Sequence, residues 1–390
     1  MRQPCTCLCL LSIFVFAFYY FSPAQALNND GITFNVATSP LIVIDDERPV
    51  SSSNHSTYPR LTNLSDGAIL SSFTHYIGKN TRSLSVSYST DGGKTFSDFS
   101  EVTQAEGDVD NMFLLEVSKD VVLASFRNHD DEYFRITICR SIDGGRTWKF
   151  VSQAAEKSGS LGLWEPFMRL GDEGEVQLTF SQEFAHNTQR TMRVVSRDQG
   201  STWSTPTCLS GCKKELRDGM NGITKTNDNG RDALVMVIET NRYGTYNVES
   251  LVSYDDGSTW SHRGCIFRPK SGHNAGSPQI ASFGDGSMVT VFMTDEDADN
   301  VDWPKHASIK AVFASPPKNG TLIWSDPTLI SSESSFWPGL LSINDNTALV
   351  TYDRGAKPLV KTIKWNPRVA GFRLDTYTLR KFRRLAKEAR

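Results

Sequence analysis

Apolar residues along this chain come in short blocks, not in stripes at helical spacing. Six times a block that opens on a polar or aromatic residue is followed, after a turn-sized gap, by a second apolar block. The pairs begin at Tyr58-Pro59-Arg60-Leu61 and Asp66-Gly67-Ala68-Ile69-Leu70, and at Asn111-Met112-Phe113 and Val121-Val122-Leu123. They continue at Trp164-Glu165-Pro166 and Val176-Gln177-Leu178, and at Gly219-Met220-Asn221 and Ala233-Leu234-Val235. The last two begin at Ser277-Pro278-Gln279 and Asp285-Gly286-Ser287, and at Trp337-Pro338-Gly339 and Ala348-Leu349-Val350. Blocks of this length, bounded by Gly, Asn and Asp, predict paired β-strands. Each pair predicts the two inner strands of one repeated unit, and no helical periodicity interrupts them before the C-terminus.

A second repeat lies outside the first. The pattern Ser-x-Asp-x-Gly-x-Thr-aromatic occurs at Ser89–Phe96, Ser141–Trp148, Ser196–Trp203 and Ser253–Trp260, its aspartates 52, 55 and 57 positions apart. The physics is that of a hairpin turn: Asp accepts backbone N–H groups, Gly takes positive φ, and the aromatic starts the return strand. These stretches resemble the Asp box of the sialidase-like β-propellers. The resemblance makes Asp91, Asp143, Asp198 and Asp255 structural, on the outer rim and away from any substrate. A near-constant period decides architecture. Six units of two inner and usually two outer strands predict an all-β, six-bladed β-propeller of the sialidase type. The last two units lack a recognisable Asp box, and Ile32 to Ile44 is expected to close the ring by adding a strand to the last blade.

The ends differ from the middle. Residues 1–26 read as a secretory signal peptide: Arg2, an apolar run from Leu8 to Phe21, and the small-x-small site Ala24-Gln25-Ala26. The run is short for a membrane span of about 20 residues. Residues 27–370 form the expected propeller domain, and residues 371–390 a basic, solvated tail for which a polyanion contact is the alternative. The expectation is a secreted, extracellular monomer that does not stay at the membrane once the signal is cleaved. Secretion makes Cys139, Cys208, Cys212 and Cys265 candidates for disulfides, with Cys208–Cys212 favoured because the chain between them is short. Asn54, Asn63 and Asn319 begin glycosylation sequons. A formal net charge of −3 gives no reason to expect nucleic acid as a partner. The acidic run Asp295–Asn300 lacks the Gly and closing Glu of a calcium loop, so it reads as solvated, and neither metal nor cofactor is expected.

Chemistry in a propeller belongs where the innermost strands open and their partners end, near the axis. Those positions collect acids, amides, guanidiniums and aromatics: Tyr58, Arg60, Asn111, Arg127, Trp164, Asn241, Ser277, Trp337 and Arg354 as candidate binding residues, with Glu165 and Glu239 among them. That mixture suits a sugar, with carboxylates for proton transfer, amides for hydroxyls and aromatics for apolar ring faces. Glu239 closes the apolar run Ala233 to Ile238, and a buried carboxylate without a partner is costly. A structural role paired to Arg169 or Arg242 is the plain alternative for either acid alone. Together, on adjacent blades, they read as a glycosidase pair.

The Tyr58-Pro59-Arg60-Leu61 opening, Trp164-Glu165-Pro166, and Ile238-Glu239-Thr240-Asn241 on an Asp-box propeller resemble the exo-1,5-α-L-arabinanases of glycoside hydrolase family ninety-three, over nearly the whole mature chain. The resemblance implies retaining hydrolysis of α-1,5-linked arabinan from the non-reducing end with release of arabinobiose. It assigns Glu165 as acid/base and Glu239 as nucleophile, with Tyr352 beside Glu239. Two other readings stand against it. A sialidase needs three converging arginines, for which Arg60, Arg127, Arg242 and Arg354 are candidates, but the usual Arg-Ile-Pro order is absent. A non-catalytic carbohydrate-binding propeller would not need both Glu165 and Glu239.

Overall fold

The computed structural model describes residues 43–365, and every regular element in that span is a β-strand. The expected signal segment and the expected basic tail lie outside the described residues. Six antiparallel sheets follow one another along the chain. Blade one is β3 (Ser56–Asn63), β4 (Ile69–Ile77), β5 (Thr81–Ser89) and β6 (Ser97–Glu106). Blade two is β7 (Asp108–Ser118), β8 (Val121–His129), β9 (Tyr133–Ser141) and β10 (Lys149–Ser158). Blade three is β11 (Leu163–Leu170), β12 (Val176–Ala185), β13 (Thr188–Ser196) and β14 (Thr207–Ser210). Blade four is β15 (Gly219–Asp228), β16 (Arg231–Thr240), β17 (Asn247–Ser253) and β18 (Ser261–Phe267). Blade five is β19 (Ala275–Ser282), β20 (Met288–Thr294), β21 (Ser308–Ala314) and β22 (Thr328–Ser331). Blade six is β23 (Ser335–Asn344), β24 (Thr347–Arg354) and β25 (Lys357–Lys364).

The N-terminal segment completes blade six. The short strands β1 (Val43–Ile44) and β2 (Arg48–Pro49) both pair antiparallel with β25. Glu47, between them, accepts hydrogen bonds from Tyr352 Oη (2.6 Å) and Arg354 Nη2 (2.7 Å). Sheet and side chains thus lock the first described strands to the last; of the expected closing segment Ile32 to Ile44, only Val43 and Ile44 are among the described residues.

Blades bury both faces, and this explains the unbroken apolar runs. All seven residues of β20 are buried. The core lies as slabs between consecutive blades: Leu84, Val86, Met112 and Phe126 between blades one and two, and Val291, Phe313, Val350 and Trp365 between five and six. Burying one large apolar side chain stabilises by about 1.5–3 kcal/mol, so each slab is a substantial share of the fold's cohesion.

The four Asp boxes join the third and fourth strands of blades one to four. In the second box Asp143 Oδ1 accepts from Ser141 Oγ (2.7 Å), Arg146 N (3.0 Å) and Thr147 N (2.9 Å), while Oδ2 accepts from Thr147 Oγ1 (2.6 Å). Against the upward push of burial, these bonds hold the Asp143 carboxyl down at about 2. Each box also staples its blade to the one before. The carbonyl of its second Gly position accepts from the preceding blade every time. Arg48 Nη2 reaches Gly93, Ser100 Oγ reaches Gly145, Ser152 Oγ reaches Gly200 and Arg193 Nη1 reaches Gly257, at 2.6–3.1 Å. Close packing explains the glycine: a Cβ on Gly93 would lie 2.4 Å from Leu349 of blade six. Blade five has no box, and Asp228 of blade four substitutes by accepting Asn319 N (2.8 Å) and Gly320 N (2.7 Å) of its outer turn.

A further irregularity repeats six times. In every innermost strand two residues face one on the second strand, a β-bulge, and the first of the two has φ between 45° and 59°. The bulged pairs are Tyr58-Pro59, Asn111-Met112, Glu165-Pro166, Met220-Asn221, Ser277-Pro278 and Trp337-Pro338. The residues they face are Phe73, Phe126, Phe180, Ile238, Phe292 and Tyr352, each at most 2 % exposed. Pro is tolerated at four second positions because the bulge breaks the ladder there and no N–H is required.

The staples make the boxes structural, which sets an expectation. Asp143→Ala should cost about 1–2 kcal/mol in urea denaturation through loss of several turn hydrogen bonds, with activity per folded molecule unchanged.

Candidate active site

The bulges aim six side chains at one end of the axis: Tyr58, Asn111, Glu165, Met220, Ser277 and Trp337. One residue beyond each bulge partner, the second strands add Thr74, Arg127, Ser181, Glu239, Met293 and Asp353. Five of the expected binding residues are therefore bulge or second-strand positions of this mouth: Tyr58, Asn111, Arg127, Ser277 and Trp337. Trp164 and Arg60 flank bulges on β11 and β3.

Glu165 and Glu239 come together at this mouth. Burial pushes the Glu165 carboxyl up to about 8; the nearby Glu239 charge adds to the rise, and Arg127 and a Ser181 hydrogen bond oppose it. Glu165 Oε2 has no hydrogen-bond partner, although water has little access to it. Glu239 is also raised, by burial, but Ser277 N donates to its Oε2 (2.9 Å) and the Arg217 charge favours its ionised form. Gly276 makes that bond possible. A Cβ there would stand 2.5 Å from Glu239 Oε2. The two arginines considered for a structural pairing are engaged or placed elsewhere: Arg169 is paired with Asp256 (2.7 Å), and Arg242 lies 3.6 Å from Glu249.

The remaining residues sort into lining and scaffold. Arg60 stacks 3.8 Å from the Tyr58 ring centroid, donates to the carbonyls of Pro59 and Trp337 (both 2.9 Å), and keeps a buried Nη2 without a partner. Burial holds the Tyr58 hydroxyl protonated, with a pKa near 12. Arg127 lies over Trp164 at 5.0 Å, and its charge is met by Asp108 (2.8 Å) and Asp110 (3.3 Å), with Asn111 Oδ1 accepting from Nη1 (2.9 Å). Asn241 Oδ1 accepts from Arg217 N (2.9 Å), so its amide oxygen shapes a loop. The acidic run, expected to be solvated, is partly buried: Asp295 is buried and accepts Asn274 N (2.6 Å), and Lys310 bonds Glu296 (2.6 Å) and Asp297 (2.9 Å). Cys208 and Cys212 form a disulfide, and Cys139 is a buried thiol.

Two expectations need correction. Tyr352 is not placed as the tyrosine beside Glu239. It occupies the bulge-partner position that Phe73, Phe126, Phe180 and Phe292 fill in other blades, is fully buried, and donates to Glu47. Arg354 is likewise committed to Glu47 instead of standing ready for a ligand. Both serve ring closure. The tyrosine in the field of Glu239 and Glu165 is Tyr246, whose hydroxyl accepts from Arg217 Nε (2.8 Å). Sequence reading missed Tyr246 and Arg217 because they lie in irregular connections with no periodic signal. It also passed over the acid at 353 as a site residue: Asp353 is buried, pushed up to about 7 by desolvation, and accepts Tyr58 N (3.4 Å).

No protein-family model matches the sequence, and no curated protein does. Solved structures do. A protein of unknown function from Dyadobacter fermentans superposes with a TM-score of 0.64 at 14% identity, covering 83% of this chain and 99% of that one. An α-L-arabinanase from Penicillium chrysogenum, complexed with arabinobiose, gives 0.61 at 18% identity over 83% and 98%. The GH93 α-L-arabinofuranosidase of Fusarium graminearum, also complexed with arabinobiose, gives 0.62 at 19% identity over 83% and 98%. Sialidases match as well. At these identities the likeness establishes architecture: the chain folds as a six-bladed propeller of the sialidase type.

The raised carboxyls carry a stability consequence. Glu165 and Asp353 have folded-state pKa values above their unfolded ones, so stability is fully present below about pH 4 and declines as pH rises towards 8. Glu165→Gln should therefore raise Tm over the parent at pH 8, and the difference should vanish below about pH 4 when both are scanned across pH.

Proposed function

We propose that this protein is a secreted retaining exo-glycosidase that hydrolyses α-1,5-linked L-arabinan from the non-reducing end and releases arabinobiose. The observation that carries the reading is the pair at the mouth: two desolvated carboxyls, one raised to about 8 with an unpartnered oxygen, the other held towards ionisation by a backbone N–H and a guanidinium. Environments that push the pKa values of two neighbouring acids apart define an acid/base assignment, and the backbone N–H on Glu239 Oε2 against the bare Oε2 of Glu165 supports that order here. The arabinobiose complexes of the Penicillium and Fusarium proteins support the choice of substrate. The Cys208–Cys212 disulfide and the signal-like N-terminus support secretion.

In this reading ionised Glu239 attacks the anomeric carbon, and the bond to the leaving oxygen breaks as Glu165 gives that oxygen its proton. The product is an ester between Glu239 and the sugar. Ester formation removes the Glu239 charge, one of the forces raising Glu165, so the acidity of Glu165 increases once it has acted as acid. Glu165, now a carboxylate, takes a proton from water, whose oxygen attacks the anomeric carbon and releases Glu239. Two retentions of position follow: the anomeric configuration is kept, and both acids return to their first protonation states. Retention calls for carboxyl groups about 5–5.5 Å apart, against about 6.5–9.5 Å for inversion.

The sialidase alternative asks for three available guanidiniums, and its four candidates are largely engaged. Arg127 is spent on Asp108 and Asp110, Arg354 on Glu47, and Arg242 stands near Glu249; Arg60 keeps one unpartnered nitrogen.

Product analysis on linear arabinan beside a sialoside tests the substrate class, with arabinobiose expected from the first and no release from the second. Glu239→Gln should abolish turnover of every substrate. Glu165→Gln should be rescued in part by an activated aryl leaving group, and by azide in the second step. Alkaline loss of kcat/KM should centre near pH 8, where free Glu165 ionises. Near-normal arabinan hydrolysis by either variant, or inversion of the first product by NMR, would overturn the assignment.

A further inference from the structure

The loop between β14 and β15 carries a side chain that makes four hydrogen bonds beside the mouth. It leaves the Cys208–Cys212 disulfide and is pinned at its far end, where Asp218 accepts from Ser210 Oγ (2.6 Å), Arg263 Nη1 (2.7 Å) and Arg263 Nη2 (3.0 Å). Between these anchors stands Arg217. Its Nη2 donates to Glu183 Oε1 (2.7 Å) and Gln189 Oε1 (2.8 Å), and its Nη1 to the carbonyl of His186 (2.8 Å). Its Nε donates to Tyr246 Oη (2.8 Å), and its backbone N–H to Asn241 Oδ1 (2.9 Å).

The partners divide by blade. Glu183, His186 and Gln189 belong with blade three, which carries Glu165. Asn241 and Tyr246 belong with blade four, which carries Glu239. Glu183 reaches further, accepting Gly162 N (3.0 Å) and a hydrogen bond from Trp164, the neighbour of Glu165. One planar, five-donor fork therefore spans the seam between the two blades whose strands present the carboxyl pair, a task that a lysine cannot copy.

We propose that Arg217 is a positioning residue for the pair: it fixes the spacing of Glu165 and Glu239 across the blade seam and holds a positive charge beside Glu239. The kinetic half of this inference rests on the glycosidase reading; the electrostatic half does not. The groups facing Glu239 are Glu165 from β11, Ser277 N–H from β19, Tyr246 from the connection before β17, and Arg217. Arg217 is the cation among them. It favours the ionised Glu239 that burial disfavours.

The test follows the Glu239 carboxyl itself by NMR in protein labelled at glutamate Cδ, its signal assigned by its loss in Glu239→Gln. Removing the guanidinium in Arg217→Gln should move the Glu239 titration upward by about one pH unit, and Arg217→Lys should keep most of the wild-type value. On an aryl α-1,5-L-arabinobioside, kcat should fall about tenfold or more in both variants, with KM changed less than about threefold, because position is lost while binding groups remain. An unmoved Glu239 titration in Arg217→Gln that keeps the wild-type near-UV spectrum would overturn the charge role. Wild-type kcat in Arg217→Lys would overturn the spacing role, and that variant decides if Arg217→Gln does not fold. If the parent protein cleaves no arabinoside, the substrate reading fails, and the NMR titration still judges Arg217.

Discussion

The innermost strand of a blade must present side chains at the axis while two of its residues share the space opposite a single residue of the second strand. That local constraint governs this molecule. A regular ladder would alternate each side chain strictly between the two blade faces, both of which are covered by neighbouring blades. The bulge turns the first of its two residues into the left-handed region and out of that alternation, so Glu165 and its five counterparts belong to the mouth. The second strand supplies the counterweight. Phe73, Phe126, Phe180, Ile238, Phe292 and Tyr352 fill the space under the bulge, and the residue after each emerges at the same end.

Carboxyl groups at that mouth live under tension between two demands. Packing removes water, which favours the neutral form of Glu165, Glu239 and Asp353 alike. Nearby donors then oppose that shift. Glu239 receives a backbone N–H and the Arg217 charge; Glu165 receives the Arg127 charge and a Ser181 hydrogen bond, and its Oε2 is left without a partner. The rim shows the reverse arrangement. Asp143 and its counterparts are wrapped in donors, stay ionised and hold turns together. Carboxyl groups are thus held ionised at the rim and pushed towards the neutral form at the mouth, according to burial and the donors around them.

Much of this was legible in the sequence, for definite reasons. The Asp boxes declare themselves because one turn demands Ser, Asp, Gly, Thr and an aromatic at fixed offsets. The paired apolar blocks declare the blades because both faces of each blade are covered. Glu165 and Glu239 were visible as acids at the ends of such blocks. The error over Tyr352 came with the family resemblance, which carried the tyrosine over without this chain's register. Ser72-Phe73-Thr74, Ser125-Phe126-Arg127, Thr179-Phe180-Ser181 and Thr351-Tyr352-Asp353 align once the bulge is recognised, and Tyr352 then falls among the buried phenylalanines. Arg217, Tyr246 and the Asp228 anchor of blade five had no such signal. They act through irregular loops, where neighbours in space are set by the closed ring and not by any period.

The six bulges also separate what the fold needs from what the mouth says. Their first residues are Tyr, Asn, Glu, Met, Ser and Trp: an aromatic phenol, an amide, an acid, a thioether, a hydroxyl and an indole held by the same backbone turn. Since one conformation accepts such different chemistry, the propeller works as a six-place dial whose letters can be rewritten without redrawing its frame. A scaffold of that kind lets new ligand preferences arise by single substitutions, each confined to its own blade.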